Sequence, residues 1–140
     1  MRWRFSTYVK ESGKASVQKS IDGFDDYGQA QFAARVKYLA ATSAPNDWSE
    51  PQALKLSGVT DLYEIRFKNA RKQTRAIGFF GPDSDEFTIT VVATHKCNVY
   101  TPVDAIQTAG KRRDEIVADP LRRSSLKIDG EDYPPIEDET

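Results

Sequence analysis

Leu62-Tyr63-Glu64-Ile65-Arg66-Phe67, followed by Gln73-Thr74-Arg75-Ala76-Ile77-Gly78-Phe79-Phe80, is the stretch whose reading decides the fold. Both segments alternate polar with apolar residues and are rich in aromatic and β-branched types, so they read as two strands joined by the polar turn Asn69-Ala70-Arg71-Lys72. Pairing them as a hairpin with a four-residue loop sets Lys68 opposite Gln73 and Arg66 opposite Arg75, which places two guanidinium groups on one side of the sheet. Neighbouring cations repel unless an anion lies between them. Glu64 can be that anion from within the chain, as a structural ion-pair cluster, or a phosphate can come from outside; the sequence leaves both open.

Working outward, Gly81-Pro82-Asp83-Ser84-Asp85 is a turn, and Glu86-Phe87-Thr88-Ile89-Thr90-Val91-Val92-Ala93 is a third antiparallel strand. Thr101-Pro102-Val103-Asp104 then opens a helix: Thr101 caps it, Pro102 takes the first helical position and Asp104 sits at the positive end of the dipole. Ile106, Ala109, Arg113 and Ile116 or Val117 share one face of it, and Asp119-Pro120 stops it. Toward the N-terminus, Arg2 to Val9 alternates as a first strand. Val17, Ile21 and Phe24, then Phe32, Val36 and Leu39 with Ala33 and Ala40, recur at helical spacing and read as a helical hairpin with a buried stripe. Ser43 to Pro51 is a breaker-rich connection in which Trp48 either closes onto the core or offers a ring for stacking.

At 140 residues the chain suits one domain, which we place at residues 1–118. Residues 119–140 read as an acidic, largely disordered tail: from Ile128 onward there are Asp129, Glu131, Asp132, Glu137, Asp138 and Glu139 and no basic residue. Without them the body is mildly basic, compatible with a phosphate-bearing partner. No apolar run approaches the ~20 residues of a membrane helix and no signal-peptide core opens the chain, so the expected location is the cytoplasm. Cys97 is the sole cysteine and His95 the sole histidine, too few for a Cys/His zinc site, and no metal or other cofactor is expected.

The succession Leu56-Ser57-Gly58, Leu62-Tyr63-Glu64-Ile65-Arg66, Thr74-Arg75-Ala76-Ile77, Val91-Val92-Ala93-Thr94-His95-Lys96, and Thr101-Pro102 leading into Ala105 and Ala109 resembles the RelE/HigB superfamily of bacterial type II toxins, in particular its phage-associated HigB-like branch. The resemblance implies an α+β, RelE-like fold: an antiparallel sheet of about four strands packed against an N-terminal helical hairpin, with a C-terminal helix. It also implies a toxin that cleaves mRNA as a metal-independent endoribonuclease, on or off the ribosome, through attack of the ribose 2′-OH on the adjacent phosphate. Its partner would be a cognate helix-turn-helix antitoxin. On this resemblance Arg66 and Arg75 hold the scissile phosphate, Lys96 supplies charge or a proton and His95 moves protons near neutrality. Lys68 and Tyr100 bind substrate, Tyr100 by stacking a base or supporting proton transfer. The competing implication is a non-catalytic module of the same fold, of phage or mobile-element origin, that binds protein or RNA.

Overall fold

The computed structural model describes residues 3–42, 48–49, 52–58 and 61–135. The connection at 43–47, Arg2 of the first expected strand and the last acidic residues, 136–140, lie outside the described residues. In chain order come β1 (Arg4–Tyr8), α1 (Ser16–Asp22), α2 (Asp26–Ala40), β2 (Ala53–Lys55), β3 (Tyr63–Asn69), β4 (Lys72–Phe80), β5 (Glu86–Lys96), β6 (Val99–Thr101), α3 (Ala105–Ala118), β7 (Arg123–Ser125), β8 (Lys127–Ile128) and β9 (Glu131–Asp132).

The central hairpin, β3–β4, forms in the register that alternation implies, with Arg66 facing Arg75 and Lys68 facing Gln73. Pairing runs on to Asn69 and Lys72, so the loop is two residues, not four. Ala70 (φ 51°) and Arg71 (φ 65°) are both left-handed, as a type I′ turn demands. Neither is a glycine, and such backbone costs an L-residue roughly 1–2 kcal/mol. Hydrogen bonds to the α1–α2 junction offset that cost. Asn69 Oδ1 accepts from the Asp25 N–H at 2.9 Å, and Asp25 Oδ2 accepts from the Ala70 N–H at 3.2 Å. Asp25 Oδ1 meanwhile caps α2 by accepting from the Gly28 N–H at 2.7 Å. Residue 28 must be glycine for the pieces to fit, since a Cβ there would lie 2.0 Å from Asn69 Oδ1. Arg71→Gly is accordingly expected to stabilise the protein by about 1 kcal/mol, read as a higher urea midpoint at unchanged slope. A lower midpoint would show that this turn is not left-handed.

The sheet is larger than the four strands expected. Seven strands join it, in the order β2-β3-β4-β5-β1-β7, with β6 also on β5. The meander β3–β4–β5 is antiparallel as expected, but β1 runs parallel to β5, making the sheet mixed. Eleven-residue β5 divides its second edge between two partners: Glu86 to Ile89 face Arg4 to Thr7 of β1, and Thr94 to Lys96 face β6. α1 rests on β1 and β5 and α2 rests on β3, and the Gln29 side-chain amide of α2 donates to the Ile21 carbonyl of α1 at 2.6 Å.

Helical spacing identified the buried stripe correctly: Val17, Ile21, Phe32, Val36, Leu39 and Ala40 are all buried. Trp48 closes onto the core, nearly parallel to Phe5 and edge-on to Phe80, with its indole N–H donating to Thr42 Oγ1 at 2.8 Å. α3 starts later than Thr101 because that residue is occupied as the last of β6, paired with Thr94. Asp104 takes the N-cap position without a side-chain cap bond, Ala105, Ala109 and Ile116 are buried, and Val117 is exposed.

Residues 119–135 continue the fold beyond α3. β7 pairs antiparallel with β1, Leu126 is fully buried, and Tyr133 donates its O–H to the Ala33 carbonyl on α2 at 2.8 Å. Leu126, with Ile128 and Tyr133 packed beside it, is sparse apolar content, and the edge of β1 gives its neighbours a ladder to join.

Candidate functional site

Alternation along β3 turns Phe67 into the core against Phe24 and Phe32, ring centroids 5.2 and 5.1 Å away, and brings Glu64, Arg66 and Lys68 out on the other face. Glu64 is 2% exposed and sits among the cations opposite one another on that face. Its Oε1 accepts from Arg66 Nε at 3.0 Å and lies 3.6 Å from Arg75 Nε, while its Oε2 accepts from the Tyr100 hydroxyl at 2.5 Å. Arg75 is almost as buried as Glu64, and its Nη1 donates to the Thr74 carbonyl at 3.0 Å. Arg75 Nε has no hydrogen-bond partner among the described residues. Burial lowers the Arg75 pKa, Glu64 works against that, and Arg66 adds to it. For Tyr100, burial and then the bond to Glu64 raise the pKa, so it stays a neutral donor to the carboxylate.

Tyr100 arrives there because β5 turns back on itself into β6 as a hairpin. Cys97 (φ 52°) and Asn98 (φ 65°) make a two-residue turn, which sets Tyr100 opposite His95 with ring centroids 4.8 Å apart. Arg66, Arg75 and Ala93 lie abreast on three strands, and His95, two residues beyond Ala93, emerges on their face. Lys96 is the next residue along, so alternation carries it to the opposite face, where it is exposed.

Between α2 and the hairpin lies an open cleft of about 390 Å³. Tyr27, Gln31 and Arg35 line it from α2, and Arg66, Lys68 and Arg75 from the hairpin. Arg35 Nε donates to the Arg66 carbonyl at 3.1 Å, joining the two walls. Four of the lining side chains are cations and, among the described residues, none is a carboxylate. Of the residues singled out in the sequence, Arg66, Arg75 and Lys68 therefore meet in the cleft. Tyr100 is joined to it through Glu64, His95 through Tyr100, and Lys96 stands apart. Tyr27, Gln31 and Arg35, which the sequence reading does not single out, are spaced by four residues and so share one polar stripe of α2.

A family model for phage-derived Gp49-like proteins (DUF891) matches residues 19–114, well over half of the chain. The chain belongs to the Gp49-like family. That family falls among the RelE-like toxins of type II toxin–antitoxin systems, which implies an antitoxin partner. Neither the curated proteins nor the solved structures searched contained a match. The matched region of this Gp49-like chain takes in the whole cleft, Glu64, His95 and Tyr100, and ends before β7. Among the described residues no helix is long and apolar enough to cross a membrane.

A second buried carboxylate lies at the opposite end of β5. Glu86, 1% exposed, accepts from Ser6 Oγ and from Arg123 Nε, the latter at 2.7 Å. Arg4 adds bonds to Asp83 and Asp85, which depress the Asp85 carboxyl below its usual range. Arg123 thus fastens β7 to the start of β5, and every cation here has an internal acid as partner.

Proposed function

We propose that this Gp49-like chain is the toxin of a type II toxin–antitoxin pair, on the HigB-like branch, and that it cleaves mRNA without a metal. The observation that carries this reading is the cleft: four cations and, among its described lining residues, no acid, which suits a phosphate backbone. The ribose 2′-oxygen attacks the adjacent phosphorus as its proton is removed, the bond from phosphorus to the 5′-oxygen breaks, and a 2′,3′-cyclic phosphate and a 5′-hydroxyl remain. Arg66 and Arg75 flank the phosphate and offset the charge that builds on its oxygens. His95, on their face and against Tyr100, takes the 2′-hydroxyl proton and returns a proton to the leaving 5′-oxygen, and Lys68 steadies the neighbouring backbone. Lys96 projects from the other face and has no part in this step. The partner is a cognate antitoxin, a small helix-turn-helix protein.

Expression of the wild type should arrest growth, and purified protein should cut mRNA, with ribosomes present or absent. Removing one group that stabilises the transition state typically costs ~10²-fold in rate, so Arg66→Ala/Arg75→Ala should relieve the arrest. Equal arrest by wild type and double variant rejects this site. One observation favours a second reading, a non-catalytic module that binds RNA or protein: Glu64 already holds both arginines and Tyr100 from within. Under that reading mRNA stays intact while the antitoxin or RNA is still retained.

A further inference from the structure

Tyr100, the aromatic group expected to stack a base, is turned inward with its hydroxyl on Glu64 and its ring against His95. Two aromatic residues line the cleft, Phe67, which is buried in the core, and Tyr27, which is 58% exposed and free to meet a ligand. We propose that Tyr27 is the platform on which a base of single-stranded RNA stacks, with the flanking phosphates held by Arg35, Arg66 and Lys68. This rests on the reading of the cleft as an RNA site and adds to it the residue that receives a nucleobase.

Three features converge on this assignment. The first is placement. Tyr27 sits in the first turn of α2, whose start is tied to the hairpin tip through Asp25, Asn69 and Ala70, and Arg35 ties the middle of the same helix to the Arg66 carbonyl. The ring is thereby held on a helix fixed at two points against the strand that carries Arg66 and Lys68, which limits the ordering cost of binding. The second is chemistry. A flat ring beside a cationic track is how proteins take single strands without regard to sequence, since every base has a face to stack. Gln31, one turn along, offers both a donor and an acceptor to a base edge. The third is charge. Tyrosine and arginine are also enriched at protein interfaces, but a lining of four cations without an acid favours a polyanion over a protein surface of mixed sign.

Tyr38 lies on the same exposed stripe of α2, is 53% exposed and does not line the cleft, so it serves as a matched control. Binding is measured by fluorescence anisotropy with a short 2′-O-methyl RNA, which has no free 2′-hydroxyl to attack, and with an abasic strand of the same length. Tyr27→Ala should weaken binding to the base-bearing strand by about tenfold, while Tyr27→Phe and Tyr38→Ala bind as the wild type does. On the abasic strand wild type and Tyr27→Ala should be equal. The slope of affinity against salt should stay the same in Tyr27→Ala and fall in Lys68→Ala, because only the latter removes a phosphate contact. Equal binding of wild type and Tyr27→Ala to the base-bearing strand overturns the stacking role alone. A wild type that binds neither strand overturns the RNA-site reading along with it. Unchanged RNA binding with loss of the antitoxin would make the same wall a protein-docking surface and also overturn the proposal.

Discussion

Gly78→Ala is expected to cost ~4 kcal/mol, enough to leave a domain of ordinary stability largely unfolded at modest urea concentrations. At this point β4 and β5 slip past one another: Ile77 faces Val91 and Gly78 faces Ile89, which leaves Thr90 as the extra residue of a bulge. A Cβ on residue 78 would stand 2.1 Å from the Thr88 carbonyl oxygen and 2.9 Å from the Phe87 ring. The first of these is backbone, so no rotamer change relieves it and the strands must part. Parting them also disturbs α3, because Thr90 Oγ1 lies 3.3 Å from the Ala109 carbonyl, and Arg112 donates to the Thr90 carbonyl at 2.8 Å. Overpacking alone costs about 1–3 kcal/mol, and the lost ladder and helix contacts supply the remainder. Chemical denaturation measures it, and a loss under about 1 kcal/mol would show that the strands do not approach so closely.

What the sequence disclosed and what it withheld divide along a physical line. The pairing of Arg66 with Arg75 was legible because strand alternation has period two and a short polar turn leaves few registers that keep Ile65 and Phe67 inside. The buried faces of α1 and α2 were legible for the same kind of reason, an apolar repeat at 3.6 residues. β2, β6 and β7 were not, since each is three residues long and owes its strand form to the neighbour it joins. The parallel entry of β1 beside β5 is likewise a matter of tertiary choice, as nothing in Arg4 to Tyr8 records the direction of its partner. At the site, Arg66, Arg75 and Lys68 could be read from the hairpin alone. Tyr27 and Arg35 come from a helix more than thirty positions upstream, and the bond from Arg35 to the Arg66 carbonyl is visible only once α2 lies along β3. Arg123 carries no local signal of its role, because its partner, Glu86, is buried by a fold that local sequence does not describe.

Glu64→Ala should destabilise the protein by about 3 kcal/mol, the lower end of what breaking a buried ion pair costs, because Arg66 keeps some contact with water. Arg75 loses its carboxylate partner and Tyr100 its acceptor in the same step. Glu64→Gln, which retains an acceptor and the shape, should lose about half as much. The more telling measurement is what restores stability. If the cleft admits phosphate to the arginines, inorganic phosphate binds the folded Glu64→Ala variant and not its unfolded chain, and phosphate at a hundred times its dissociation constant restores ~2.7 kcal/mol. In the wild type Glu64 competes with phosphate for the same cations, so phosphate should raise Tm less, and sodium chloride at matched ionic strength should reproduce neither effect. A variant that phosphate stabilises no more than it does the wild type would mean that Arg66 and Arg75 face their internal acid alone. The nuclease assignment would then lose its phosphate clamp, and the non-catalytic reading of this Gp49-like chain would take its place.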